Sequence, residues 1–237
     1  MSEKGSLYIV STPIGNLEDI TLRALRILKE ADIVAAEDTR RSKILLNHYQ
    51  IDTPLISYHT FNEHRKTSEL LDKVLAGQKV ALVSDAGTPC IADPGFLLVR
   101  EALKQGIVPV VIPGVSSLTF SIVCTGFPVE RFAFYGFAPV KSGRRKDFFE
   151  KIAHEDKSVF MFESPYRMSK ALDDIVQYIG PETPIAIIRE ATKIHEETLR
   201  GTALELKNSC SSKNWKGEVV IAVSKHQQAS VDSSENE

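Results

Sequence analysis

The sequence predicts an α/β fold in two parts, a parallel N-terminal sheet followed by a mixed C-terminal one. Three observations carry this. In the first half, short apolar runs alternate with segments of helical periodicity, the order that builds a parallel sheet. Around Gly126–Arg131 the alternation breaks, and the aromatic run Phe132–Phe137 restarts it. Further on, two strand-like runs, Pro184–Arg189 and Glu196–Gly201, follow one another directly, which predicts a hairpin and antiparallel pairing.

Each element has its own signal. Leu7–Val10 is a short apolar strand. Thr21–Glu30 sets Leu22, Leu25 and Leu28 on one helical face, with Asn16 or Asp19 expected to cap it. Ile33–Ala36 and Leu55–Tyr58 read as strands on either side of a helix at Ser42–His48. His64–Leu75 carries Leu70, Leu71, Val74 and Leu75 at helical spacing and stops at Gly77, a favoured residue after a helix end. Val80–Val83 is a strongly apolar strand and Gly95–Gln105 a helix ending at Gly106. The charge-free stretch Gly106–Val129 is broken by Pro109, Pro113 and Gly114, so it predicts a buried strand at Val108–Ile112 and a buried helix at Ser116–Cys124, not a membrane span.

In the second half a basic loop, 141–146, is expected to lead into a helix at Asp147–Ala153. A strand at Val159–Phe162 and a helix at Met168–Ile179 follow, then the hairpin, a helix at Ala203–Asn208 and a strand at Glu218–Ser224. The expected division is an N-terminal domain at 1–128, a C-terminal domain at 129–225, and a polar, disordered tail at 226–237.

Composition narrows the function. The chain has 237 residues, enough for a core without metal or disulfide, and a net charge of −2. A protein that coats nucleic acid nonspecifically is expected to be basic overall, so any such partner must be met by a local patch. Three scattered cysteines, Cys90, Cys124 and Cys210, argue for a reducing compartment and against a zinc site. With no secretory leader visible in the polar Met1–Gly5, the expectation is a cytoplasmic protein with no membrane partner.

In parallel sheets ligands sit beyond the carboxyl ends of the strands. Four loops there stand out: 11–17, 37–41, 84–95 and 113–117. Neither a G-x-G-x-x-G fingerprint nor a Walker A loop is present, which argues against a dehydrogenase or nucleotide-triphosphate enzyme. The loops offer backbone groups, hydroxyls and a carboxylate instead. That donor set suits an adenosine with an amino-acid end and a sulfonium. Asp85, at the end of an apolar strand, needs a partner to offset its desolvation, and a ligand ammonium or ribose hydroxyl would serve.

Taken together, the motifs resemble the ribosomal RNA small subunit methyltransferase I family. They are Ser11-Thr12-Pro13-Ile14-Gly15-Asn16-Leu17-Glu18-Asp19-Ile20, Glu37-Asp38-Thr39-Arg40, Ser57-Tyr58-His59 with Asn62-Glu63, Ser84-Asp85-Ala86-Gly87-Thr88-Pro89, Asp93-Pro94-Gly95 and Pro113-Gly114-Val115-Ser116-Ser117. Glu163-Ser164-Pro165, Arg189-Glu190 and Gly217-Glu218-Val219-Val220 continue the match to about Val223. Phe61 and Tyr166 stand where many members have histidine, so neither of those histidines can be an obligatory base here.

The resemblance implies two α/β domains of the tetrapyrrole-methylase (class III methyltransferase) type, with S-adenosylmethionine between them, in a homodimer. It implies methyl transfer to the ribose 2′-hydroxyl of a decoding-region cytidine in 16S rRNA, bare or within the 30S subunit. Carried over, the cofactor contacts are Pro13, Ser84, Asp85, Ala86, Ile91, Ser116, Ser117 and Phe162, with Ala191 and Gly217 as further contacts. No metal is expected. Candidate bases are Asp38, His59, Glu63, Glu163 and Glu190, and the residues alone leave the choice among them open. Two clusters are candidate RNA contacts: Lys141, Arg144, Arg145 and Lys146, and Arg40 and Arg41 with Lys43, Arg65 and Lys66. The alternatives are the same fold acting on a tetrapyrrole or a translation-factor side chain, or a non-enzymatic RNA binder.

Overall fold

Alternate residues of the first strands face opposite ways, and both faces are apolar, so both must be covered. A computed structural model describes residues 5–224 and meets that demand with helices on each side of a parallel sheet. The expected tail at 226–237 lies outside the described residues.

The chain divides into two units, Met1–Ser116 and Ser117–Glu237. The first runs β1 (Ser6–Val10), α1 (Leu22–Glu30), β2 (Ile33–Ala36), α2 (Thr39–His48), β3 (Leu55–Ser57), α3 (Glu63–Leu75), β4 (Lys79–Val83), α4 (Phe96–Lys104) and β5 (Val110–Ile112). Its sheet order is β3-β2-β4-β1-β5, with every neighbouring pair parallel. Val10, Val34, Ala36, Ala81 and Val83 pack with Ile27, Leu28 and Leu46 on one face. Leu7, Ile9, Ala35, Val80 and Leu82 pack with Leu70, Leu71 and Leu98 on the other.

Two local expectations are corrected. The cap of α1 is Thr21, whose hydroxyl accepts the Ala24 N–H at 3.0 Å. Asn16 is taken up capping a short 3-10 turn at Leu17–Asp19. β5 is an edge strand, and Val110 and Val111 on it are exposed, not buried as the apolar run suggests.

The second unit runs α5 (Ser117–Thr125), β6 (Phe132–Phe137), α6 (Ser142–Ala153), β7 (Ser158–Glu163), α7 (Met168–Asp174), β8 (Pro184–Arg189), β9 (Glu197–Thr202), α8 (Ala203–Ser209) and β10 (Val219–Val223). A π-helical turn at Ile175–Ile179 continues α7. Its sheet, β6-β7-β10-β8-β9, pairs β6 with β7 in parallel and the rest antiparallel, including the expected β8–β9 hairpin. One face packs on α6, α7 and α8 through Phe149, Ile152, Met168, Leu172 and Leu206. The other packs on α5 through Leu118, Phe120 and Ile122, which is why the division falls after Ser116 and not after residue 128. The expected basic loop at 141–146 is a correction too: α6 starts at Ser142, so Arg144, Arg145 and Lys146 lie in its first turns.

Candidate active site

Three of the four loops at the carboxyl end of the first sheet are zipped to one another. The Ser11 N–H donates to Ile112 O at 3.1 Å. Thr12 and Gly87 exchange both backbone hydrogen bonds, at 2.8 and 3.0 Å, and the Thr12 hydroxyl donates to Ser84 O at 3.2 Å. The hydroxyls of Ser11 and Thr88 are 2.8 Å apart. A Cβ on Gly114 would lie 2.8 Å from the Ser11 Cβ, so this approach requires glycine. Pro13 and Ser84 are buried in this weave, Ala86 and Ser116 are half-buried, and Ile91 is exposed.

The fourth loop joins through two carboxylates. Glu37 and Asp85 follow β2 and β4, which are sheet neighbours. The Asp85 N–H donates to the Glu37 carboxyl, while the Asp38 N–H donates to Asp85 Oδ1 at 2.9 Å. Each strand end therefore offers an N–H to the other's acid. Arg41 Nη1 lies 3.5 Å from Asp85 Oδ2, and the Asp85 side chain is 22% exposed. Burial, and then the nearby Asp85 charge, push the Glu37 carboxyl above the usual range, against the pull of the Asp85 N–H, Arg41 and His59.

Glu37 is the residue that sequence reasoning missed in favour of its neighbour. Asp38 caps α2, accepting the Arg40 N–H at 2.9 Å and the Arg40 guanidinium at 2.7 and 3.0 Å. These contacts hold its pKa down to about 2, which makes it a weaker proton acceptor than an ordinary carboxylate. An acid followed by Thr-Arg-Arg at a helix start carries the N-cap signature, and that signal would have left Glu37 as the available acid. His59 is half-buried beside this pair, and its Nδ1 accepts the Phe61 N–H at 3.2 Å. Glu63 opens α3.

In the second unit two candidate bases are engaged in hydrogen bonds. The Glu163 side chain is fully buried and both its oxygens are engaged. Oε2 accepts from Arg145 Nη1 at 2.8 Å, and Oε1 from Arg167 Nε at 2.8 Å and the Ser164 N–H at 2.7 Å. Glu190 accepts from Lys193 Nζ at 2.8 Å and from the Glu218 N–H at 2.9 Å. Burial works to raise its pKa, but these two donors outweigh it and the pKa is lowered. It stands at a positive φ of 53°.

Arg145 is corrected as an RNA contact. Its side chain is 2% exposed, with Nε 2.5 Å from Asp174 Oδ2 and the guanidinium 5.1 Å from the Phe149 ring centre. Lys141, Arg144 and Lys146 remain exposed, as do Arg40 and Arg41, although Arg40 is paired with Asp38, Arg41 with Asp85 and Lys146 with Glu150. Phe162 is half-buried, with Phe134 and Phe137 rings packed on it, and Ser117 opens α5.

This arrangement defines a class. Residues 6–207 match the tetrapyrrole (corrin/porphyrin) methylase family model. The fold is also that of a solved uroporphyrin-III C-methyltransferase from Thermus thermophilus complexed with S-adenosylhomocysteine. That structure is 20% identical, with a TM-score of 0.66 over 93% of this chain and 98% of that one. Two curated relatives are closer in sequence. Ribosomal RNA small subunit methyltransferase I of Halalkalibacterium halodurans is 44% identical over 93% of this chain and 76% of its own length. Its namesake in Thermotoga maritima is 44% identical over 93% of this chain and 98% of its own length. The chain belongs to the ribosomal RNA small subunit methyltransferase I family.

Proposed function

We propose that this protein methylates small-subunit rRNA, transferring the methyl group of S-adenosylmethionine to the ribose 2′-hydroxyl of a decoding-region cytidine. The observation that carries the reading is the pair of carboxylates, Glu37 and Asp85, at the carboxyl ends of adjacent central strands in a chain of this family. With this reading go 16S rRNA in assembled 30S subunits, a homodimeric enzyme and a cytoplasmic setting. Among the described residues no helix is long and apolar enough to cross a membrane.

The donor set of the first unit fits the cofactor. Loops 11–17, 84–95 and 113–117 contain no lysine or arginine, so they offer no clamp for a pyrophosphate. They present carbonyls, hydroxyls and the partly exposed Asp85 carboxylate, which suit an adenosine carrying a cationic sulfonium and an ammonium. Pro13, Ser84, Asp85, Ala86, Ile91 and Ser116 would hold it there, and Ser117 and Phe162 are the further contacts assigned to the second unit. When bound, S-adenosylmethionine supplies a methyl group activated by its sulfonium.

The protein's own work is orientation and proton handling. Backbone pairing between Thr12 and Gly87 fixes the loops before any ligand arrives, and alignment of reacting groups can be worth on the order of 7 kcal/mol. A sugar hydroxyl is a weak nucleophile. In this reading the Glu37 carboxylate takes its proton, because a raised pKa brings the acid closer to the working pH. Asp85 lies beside Arg41 and keeps Glu37 in place through its N–H.

The test is transfer of labelled methyl groups from S-adenosylmethionine to small subunits lacking the modification, with the product nucleotide mapped by mass spectrometry. A single 2′-O-methylcytidine is the expected result. No transfer, or transfer to a base, would refute the proposal.

A further inference from the structure

We infer that the rim where β6 and β7 end is a stacking platform for an unpaired stretch of RNA, with the Tyr166 ring as the surface on which a base lies. The inference rests on the RNA-methylating reading above and adds to it a recognition surface.

The argument starts from exposure. Tyr166 is 95% exposed, on a short 3-10 turn at Pro165–Arg167 directly after β7. β6 and β7 are parallel neighbours, with Phe137 opposite Phe162, so the segments that follow them leave the sheet at the same end. The segment after β6 carries an exposed Val140 and leads to exposed Lys141, Arg144 and Lys146, and Phe137 itself is half-exposed. Apolar rings and cations thus share one rim, which is the pairing that single-stranded nucleic acid demands: faces for bases and charge for phosphates.

The platform is also held rigidly. Arg167 grips Glu163 Oε1 through Nε and Nη2, at 2.8 and 2.7 Å. Pro165 fixes the start of the turn. Arg145 binds Glu163 and also donates to Pro139 O at 3.3 Å, which ties the segment after β6 to the segment after β7 from beneath. A ring presented by an ordered turn loses little freedom on binding. The cations point the same way. Lys141, Arg144 and Lys146 sit at the start of α6, where the helix dipole disfavours positive charge, and Arg144 has no acidic partner in the first turn to offset this.

A polar duplex would not use such a surface, because its bases are hidden; an unpaired segment exposes the faces that a tyrosine can cover.

The experiment compares wild type with Y166A, Y166F, Y166W and R144A. Binding of a fluorescein-labelled single-stranded RNA oligonucleotide, and of the same sequence as a duplex, is measured across a salt series. Methyl transfer to small subunits is followed in parallel. We expect Y166A to weaken single-strand binding on the order of 5- to 150-fold, with the duplex unaffected and the salt slope unchanged. Y166F and Y166W should restore binding, because the ring and not the hydroxyl does the work. R144A should instead lower the salt slope by about 1. Tyr166 is too exposed for its loss to unfold the chain, and an unchanged thermal melt checks this. Wild-type single-strand affinity in Y166A, with wild type active, overturns the platform alone and leaves the rim to a protein partner. An equal loss on duplex and single strand also overturns it. A wild type that transfers no methyl group takes down the RNA reading and the platform with it.

Discussion

Replacing Arg145 by methionine separates a buried structural cation from a surface RNA contact. The arginine is 2% exposed and bridges Glu163, whose side chain is fully buried, and Asp174, which is 13% exposed. Removing one partner of a buried ion pair costs roughly 3–5 kcal/mol, because the other charge is left behind in a poor solvent. Here the lower end applies. Glu163 keeps Arg167 and the Ser164 N–H on Oε1, and Asp174 is close enough to the surface to recover some hydration. The substitution also removes a cost, since Arg145 Nη2 is buried without a partner. The expected loss is therefore about 3 kcal/mol. At about 2–4 °C per kcal/mol for a chain of this size, the melting temperature falls by about 6–12 °C. Trp215, the single tryptophan, lies in the same core cluster as Phe149, so its fluorescence during urea unfolding reports on this unit. RNA binding by the folded variant should keep the wild-type salt slope. A variant with wild-type stability whose salt slope falls by about 1 would mean that Arg145 faces phosphate, and the burial argument would be wrong.

Three further variants, E37Q, D38N and G217A, test the geometry elsewhere in the chain. Methyl transfer by wild type should rise with pH through the raised pKa of Glu37, whose carboxyl faces Asp85, Arg41 and His59; E37Q should lose that limb and on the order of 10²–10⁴ in kcat, with KM for RNA little changed. Because the folded state holds Glu37 above its unfolded pKa, wild type loses stability as pH rises through that range, so E37Q should match wild type in acid and exceed it near neutrality by less than about 1 kcal/mol. D38N should keep both the pH profile and the α2 cap, since Asp38 is already ionised above about 2 and asparagine caps equally well; a lost pH limb in D38N would return the base role to Asp38. G217A should destabilise by about 1–3 kcal/mol in urea melts, because a Cβ there would lie 2.2 Å from the Glu190 carboxyl at a φ of +84°, and an unchanged midpoint would mean that Glu190 can move aside.

The strands and helices were legible because periodicity is local. Ile33–Ala36, Phe132–Phe137 and Pro184–Arg189 emerge with the bounds that their apolar runs predict. The edge position of β5 was not, because an apolar run reports β propensity and says nothing of how many neighbours the strand will have. The same limit hid the carboxylate pair. Glu37 and Asp85 are far apart in sequence and meet only because β2 and β4 are neighbours in the order β3-β2-β4, which no local pattern encodes.

The basic run at 141–146 is different, because its division was written in the spacing. Arg145, Phe149 and Ile152 fall at i, i+4 and i+7, one face of a helix, and all three are buried. Read as a loop, the run looks like one patch of equivalent charges. Read as a helix, it must split, with Arg144 and Lys146 rotated away from the face that carries Arg145. The inward arginine then needs anions, and Glu163 at the end of β7 and Asp174 at the end of α7 supply them. Those carboxylates are engaged by Arg145 within the fold. This moves the search for a proton acceptor to the first unit, where Glu37 is the acid whose surroundings raise its pKa. The charges proposed to meet RNA and the arginine that braces the end of β7 are therefore neighbours in sequence, separated by roughly 100° of helix rotation per residue.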